Sequence, residues 1–502
     1  MDTQFGFIYL LQTTSLTVKS ILVTVLCVLA WIKLRARPKK RHNLPPGPLA
    51  LPLIGTLLAH STWPRSFTAL RERYGDVVTV QLGPKRIIMV MSYDAIKEAT
   101  ITKAGLFSDR GFDKSFMFHS VNPNRRGIIE CEYTPELIRN RANFTNIFRE
   151  LGVGRTVMQD KIVENAGDLV NSFLDFKGKP FFPKEHIQCS VVNVILHIAL
   201  NKKFTRSDPK LQNAIRDTDK YLKAGTDIFI IDQFPFLRLF PPFKQSYGSF
   251  VEGNSGMFDF MLRNIKDQVD NFSPNNRNDF VSCLLGTYYD NNSQTLNIDK
   301  EELKYLLRDL LLAGLETTAT TLQWIIIKLA NHQEHQIAIQ NQIDYVLGRR
   351  DVKISDKLPL LEAFVLETIR YHTIAPITPR HTFRDATLCG YDIPADTTLL
   401  LSLNDVHKDK TTWGDPYVFR PDRFLDSEGN YTRHPHVIPF SMGKRVCLGE
   451  LLARQELFIF TATLLQKLSI RPPEGVDKVS EAEVLGGTVW PKYFEIVAEA
   501  RW

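Results

Sequence analysis

Cysteine is sparse and scattered in this 502-residue chain. Cys27, Cys131, Cys189, Cys283, Cys389 and Cys447 include no CxxC pair, so neither a zinc ribbon nor a disulfide framework is indicated. That usage fits a reducing compartment. No Pro/Gly/Ser linker, internal repeat or low-complexity tract interrupts the chain after residue 50, which argues against a string of small domains. One large, mostly helical body is expected, with a small β-region. No flavin or nicotinamide glycine fingerprint is present. Histidines form no metal pair, because a proline between His434 and His436 spoils a shared ligating face. A nucleic-acid surface is also missing. The formal net charge is +7, but Lys33, Arg35, Arg37, Lys39, Lys40 and Arg41 account for all but one of those charges. The body that follows is near neutral and has no basic stripe.

Those basic residues directly follow an apolar segment, cleanest from Ile21 to Ile32 and extended N-terminally by Phe5 to Val18. A membrane span needs about 20 residues, so an anchor over Ser15 to Ile32 is expected, with Lys19 snorkelling to the far interface and the basic run staying cytosolic. A cleaved signal peptide fits less well, since the positive charges come after the apolar stretch and no small-residue cleavage site is evident. Leu44-Pro45-Pro46-Gly47-Pro48 is then a stiff, non-helical hinge. Residues 1–44 read as anchor and stop-transfer segment, 45–502 as the catalytic domain. Asp76 to Leu82 and Arg86 to Met91 read as paired strands around Gly83-Pro84. Phe229 to Phe243 carries too many prolines for a core helix and too many aromatics for a solvated loop.

The chemistry concentrates in Phe440-Ser-Met-Gly443-Lys-Arg445-Val-Cys447-Leu-Gly449, which opens an apolar helical stretch. An isolated cysteine is ordinarily inert packing. Here it stands between two glycines at a helix N-terminus, where unpaired N–H groups favour negative charge, lower a thiol pKa and suit a metal-bound thiolate. Gly443 permits a left-handed turn, and Gly449 leaves room for a flat group to approach. Further upstream, Leu303 to Leu329 reads as a buried helix interrupted by Ala313-Gly314-Leu315-Glu316-Thr317-Thr318. Glycine in mid-helix costs roughly 1 kcal/mol relative to alanine, so Gly314 calls for a reason. Small residues there would open space against a flat cofactor, and Thr317 can bond back to a carbonyl. Glu367 and Arg370 lie i,i+3 on another helix, ordinarily a surface pair worth a few tenths of a kcal/mol.

In this order, the motifs resemble the cytochrome P-450 family, and within it the animal microsomal branch that includes steroid 17-hydroxylase/lyase and drug-metabolising enzymes. The resemblance runs from the anchor to Trp502. It implies a mainly α P-450 fold preceded by one N-terminal transmembrane helix, and a haem b cofactor whose iron takes Cys447 as axial ligand. Phe440, Gly443, Arg445 and Gly449 would complete the haem loop, with Arg445 toward a propionate. Ala313 and Gly314 would form the oxygen groove, with Glu316 and Thr317 as the acid–alcohol pair that protonates dioxygen before its O–O bond splits. Glu367, Arg370 and Arg423 would form a buried structural network behind the haem. Arg141 stands at the family's Trp-x-x-x-Arg propionate position, where Leu137 replaces the indole. Arg380 supplies a further propionate contact, and Phe229 to Phe243 resembles the membrane-dipping entrance loop between helices F and G.

The implied activity is insertion of one oxygen atom into a lipophilic molecule, steroid-like or xenobiotic. Substrate would be lined by Phe112 to Ile129, the Leu306 to Ala313 face, Ile374 to Ile377 and Val489-Trp490. Electrons would come from NADPH through the membrane cytochrome P-450 reductase, with cytochrome b5 as a further partner. The implied location is the endoplasmic reticulum membrane, catalytic domain in the cytosol. A haem-thiolate isomerase or lyase working without reductase, and a non-enzymatic membrane haem protein, are the alternatives.

Overall fold

The computed structural model describes Ser20, residues 22–28, 43–51, 55–56, 65–83, 85–154, 156–290 and 292–501. Of the expected anchor, Ser20 and Leu22 to Val28 are helical and exposed. The rest of it and the basic run lie outside the described residues.

The body is mostly helical, with small sheets at its margin. The expected strand pair is present as β1 (Val77–Leu82) antiparallel to β2 (Lys85–Val90), in register Val77 to Val90. Two later strands, β3 (Ile377–Thr382) and β4 (Thr397–Ser402), complete a sheet of order β1-β2-β4-β3 in which β2 and β4 run parallel. The proline hinge lies along its edge, where Thr79 donates its N–H to Pro46 O at 2.8 Å and its hydroxyl to Pro45 O at 2.7 Å.

The helices that carry the site are α1 (Pro135–Glu150), α2 (Thr156–Leu174), α3 (Lys184–Leu200), α4 (Pro209–Lys223), α5 (Gly225–Gln233), α6 (Phe243–Asp270), α7 (Lys300–Asn331), α8 (Pro359–His372) and α9 (Glu450–Lys467). Their starts follow local chemistry. Thr134 caps α1 by accepting from Leu137 N–H, with Pro135 in the first turn; Asp299 caps α7, followed by Glu301 and Glu302. Among the described residues only α7 is long and apolar enough to cross a membrane, and 83% of its apolar window is buried inside the protein. It is the core helix, packed on α3, α6, α8 and α9.

The stretch Phe229 to Phe243 divides differently from the sequence reading. Phe229 to Gln233 belongs to α5, and the prolines act only afterwards, in a 3₁₀ turn over Pro235–Leu239. Phe229, Phe236, Leu239 and Phe240 are exposed. Such a cluster is larger than the single exposed apolar side chains a soluble surface normally tolerates.

Candidate active site

The cysteine loop is fixed by two constraints of the backbone. Gly443 has φ +76°, and a Cβ there would overlap the Thr100 carbonyl oxygen, so the left-handed turn and close packing both require glycine. Cys447 N–H then donates to Phe440 O at 3.0 Å, and the Phe440 ring lies under Arg454 at 4.9 Å. Helix α9 starts just beyond, capped by Gly449.

The Cys447 sulfur is surrounded by protein yet its surface is accessible, so it faces open space within the fold. A Cβ on Gly449 would meet only that sulfur, at 3.9 Å, which marks the same opening. The thiol pKa is raised, contrary to the lowering anticipated from the helix terminus. Burial outweighs the N–H groups of Gly449 and Glu450 and the nearby Arg141, all of which favour thiolate. The dipole alone therefore does not ionise this sulfur; a cation bound to it would.

Ala313 is exposed midway along buried α7, and Thr317 is partly exposed one turn on. Thr317 Oγ1 donates to Ala313 O at 2.8 Å, the anticipated back-bond. Gly314 and Glu316 do not belong to this face. Gly314 packs on α3, where an added Cβ would come within 2.5 Å of Ile195 Cδ1; the small residue serves helix packing. Successive helical residues diverge by about 100°, so Glu316 also turns away from Thr317. Its carboxylate accepts from Thr320 Oγ1 at 2.8 Å, Thr488 Oγ1 at 3.5 Å and Gln188 Nε2 at 3.5 Å. Asp219 lies beyond, accepting from Gln188 Nε2 at 3.0 Å and Lys184 Nζ at 2.6 Å. Burial and the Asp219 charge push the Glu316 pKa up to about 7.

Arginines converge at the edge of the site. Arg380 donates to Thr378 Oγ1, Pro379 O and Ser441 Oγ; burial, Arg445 and Arg141 bring its pKa down to about 9. Arg141, also lowered by burial, donates to Val446 O at 2.6 Å. Arg445 is buried beside the same cluster. Its nitrogens donate to the carbonyls of Ser108, Ile128 and Cys131, so it clamps the segment above the loop while adding charge to the cluster. The sequence reading missed Arg110, whose buried Nε has no partner and whose pKa burial and these three arginines depress strongly. Its signal was present: an arginine inside Phe107-Ser-Asp-Arg-Gly-Phe112 has little chance of solvation.

Desolvated guanidiniums that repel one another need an anionic partner. Glu132 supplies part, but its carboxylate is occupied by the N–H groups of Arg110, Gly111 and Phe112. A ligand with two carboxylates fits the cluster, and a metal at its centre fits the cysteine. Haem has both, so the residues present fit it.

The model of the family described as "Cytochrome P450" matches residues 45–495. The chain belongs to the cytochrome P450 family. It is 31% identical over 487 residues to cytochrome P450 2D28 of Mesocricetus auratus, covering 95% of this chain and 97% of the relative. Cytochrome P450 2D4 of Rattus norvegicus is 30% identical over 491 residues, covering 95% and 97%. Cytochrome P450 2D6 of Pan troglodytes is 30% identical over 491 residues, covering 96% and 98%. A haem iron cofactor follows from membership in this cytochrome P450 family of haem-thiolate monooxygenases.

Behind the cysteine loop, Glu367 and Arg370 on α8 pair at 2.6 and 2.8 Å, and Arg423 reaches Glu367 Oε1 at 3.2 Å. Arg370 also donates to His407 O and Pro416 O, and Arg420 N–H donates to Glu367. Glu367 and Arg370 are fully buried. Removing one partner strands the others, at about 3–5 kcal/mol. Glu367→Ala is therefore expected to yield little folded protein, seen as a collapsed denaturant midpoint; a midpoint near wild type would make the network dispensable.

Proposed function

We propose that the protein is a haem-dependent monooxygenase that inserts one oxygen atom from dioxygen into a lipophilic small molecule, steroid-like or xenobiotic. The observation that carries this reading is an exposed Cys447 surrounded by protein, with a cluster of under-neutralised arginines beside it. When bound, haem supplies dioxygen activation at its iron. Cys447 would hold the iron through its thiolate, which would supply electron density to it. Arg110, Arg141, Arg380 and Arg445 would hold the propionates, and Arg445 would also steady the loop above them. On the opposite wall, the Thr317 hydroxyl keeps its proton on Ala313 O and so turns an acceptor lone pair to the open side, suited to orienting a proton-bearing water. Glu316, turned from Thr317 toward Gln188 and Thr488, would exchange protons with the Lys184–Asp219 side.

Electrons would reach the site from NADPH through a membrane reductase, with cytochrome b5 as a second donor. Residues 1–44 would anchor the domain to the endoplasmic reticulum, and the exposed Phe236, Leu239 and Phe240 would rest on the same membrane. The test is a panel of lipophiles screened for a Soret shift of the holoprotein, followed by turnover of each binder with reductase. Product formation that requires both NADPH and dioxygen is the expected result. Turnover of a peroxide without reductase would favour an isomerase instead.

A further inference from the structure

A second charged cluster lies where α7 meets segment 121–132. Its centre is Arg308 on α7, which is 0% exposed. The guanidinium reaches Asp309 Oδ1 at 2.9 Å through Nε and 2.7 Å through Nη2, and its Nη1 donates to Glu130 Oε1 at 3.0 Å and Asn254 Oδ1 on α6 at 2.9 Å. Glu130, also 0% exposed, accepts from Tyr221 OH on α4 at 2.7 Å and Asn122 Nδ2 at 2.9 Å. Asp309 Oδ2 accepts the backbone N–H groups of Ile128 at 2.7 Å and Ile129 at 2.9 Å. The chain passes so close that a Cβ on Gly127, where φ is +85°, would stand 2.6 Å from that carboxylate oxygen. Tyr305 OH, a turn earlier on α7, holds Val121 O at 3.0 Å.

One guanidinium therefore joins segment 121–132 to α4, α6 and α7. The segment is gripped from its other side by Arg445, which binds Ile128 O and Cys131 O from the cysteine loop. Asp309, Ala313 and Thr317 follow at intervals of one turn along the same face of α7, so the segment closes the space over that stripe. Ile129 is partly exposed between two buried neighbours and packs against the main core. A wall built from loops and helix pairs ordinarily yields to ligand size, since such elements are among the less stable parts of a fold. Here two buried carboxylates and a buried arginine oppose that, because any opening would separate charges in a low-dielectric interior.

We propose that the Glu130–Arg308 pair is a specificity-determining lock: without touching ligand, it fixes segment 121–132 to α4, α6 and α7 and restricts the cavity to ligands that fit its closed shape. This rests on the haem reading above. The pair acts through position, so its loss should alter which ligands bind more than how well the protein holds its cofactor.

The test compares holoprotein with the double variant Glu130→Leu/Arg308→Leu, which removes both charges together, and with Tyr221→Phe, which removes one hydrogen bond to Glu130. Affinities are read by Soret shift for a series of N-substituted imidazoles of increasing bulk, alongside hydrogen exchange in 121–132 and α4. Expected are faster exchange and a gain of about tenfold, equivalent to 1.4 kcal/mol, for the bulkiest azole relative to N-methylimidazole in the double variant. Tyr221→Phe should move the same ratio less far in the same direction. An unchanged ratio in a folded double variant overturns the proposal, with or without faster exchange. If the double variant does not fold, an unchanged ratio in Tyr221→Phe overturns it. A wild type that gives no azole shift contradicts the haem reading instead, and unchanged exchange in the variants would then still refute the lock.

Discussion

Cys447→Ser is expected to abolish the red-shifted Soret band that the ferrous protein gives with carbon monoxide, and with it all monooxygenase turnover. A serine oxygen is a poor thiolate substitute: it is less polarisable and stays protonated where a metal-bound thiol does not. The surroundings sharpen the expectation. Burial raises the Cys447 thiol pKa, so the thiolate depends on the bound cation, and a hydroxyl in the same place is harder still to ionise. Structure should survive, because the loop is set by Gly443 against Thr100 and by the Cys447 N–H bond to Phe440 O, neither of which uses sulfur. The variant therefore separates ligation from folding: near-normal thermal stability of the apoprotein, with the band gone. The same band in the serine variant would assign the axial position to another residue and remove the centre of the proposal.

The sequence made the cysteine loop legible because its determinants are local. Gly443, Cys447 and Gly449 lie close together in the chain, and the left-handed backbone at Gly443 follows from its own position, whereas the partners of Arg445 are remote. The mostly helical architecture and the β1–β2 pair were legible for a similar reason, since periodicity and a turn dipeptide specify them. Direction was not. Neighbours in a helix point about 100° apart, so the motif Ala313-Gly314-Leu315-Glu316-Thr317 could not put its small residue, acid and alcohol on one face. Only packing on α3 shows that Gly314 meets Ile195 and that Glu316 meets Gln188. Arg110 was obscured because the arginines that perturb it come from remote segments. Arg308 and Glu130 were hidden by the opposite effect: each looks like a stray charge in an apolar stretch until the fold pairs them.

Thr317→Ala is expected to keep ligand binding and reduction but to cut product formed per NADPH consumed, the electrons not used for product appearing in hydrogen peroxide. A positioned acid or proton carrier is typically worth 10²–10⁴-fold, so a loss of coupled turnover of about 10²-fold is expected. The hydroxyl is small and its one bond is to its own helix, so little stability should be lost. Glu316→Gln is expected to differ in kind. With a pKa near 7, Glu316 changes charge within the working range, and Asp219, itself paired to Lys184, is the charge that helps hold it there. Coupled turnover in wild type should therefore vary between about pH 6 and 8, and the glutamine variant should flatten that dependence. Stability gives an independent check. A carboxyl whose folded pKa lies above its ordinary value binds more protons folded than unfolded between 4.5 and about 7, so stability falls as pH rises through that window. The glutamine variant lacks this slope, and the difference between the two curves should grow with pH. A pH profile of turnover identical in both proteins would take Glu316 off the proton path. Unchanged coupling in Thr317→Ala would do the same for Thr317 and would strengthen the isomerase alternative.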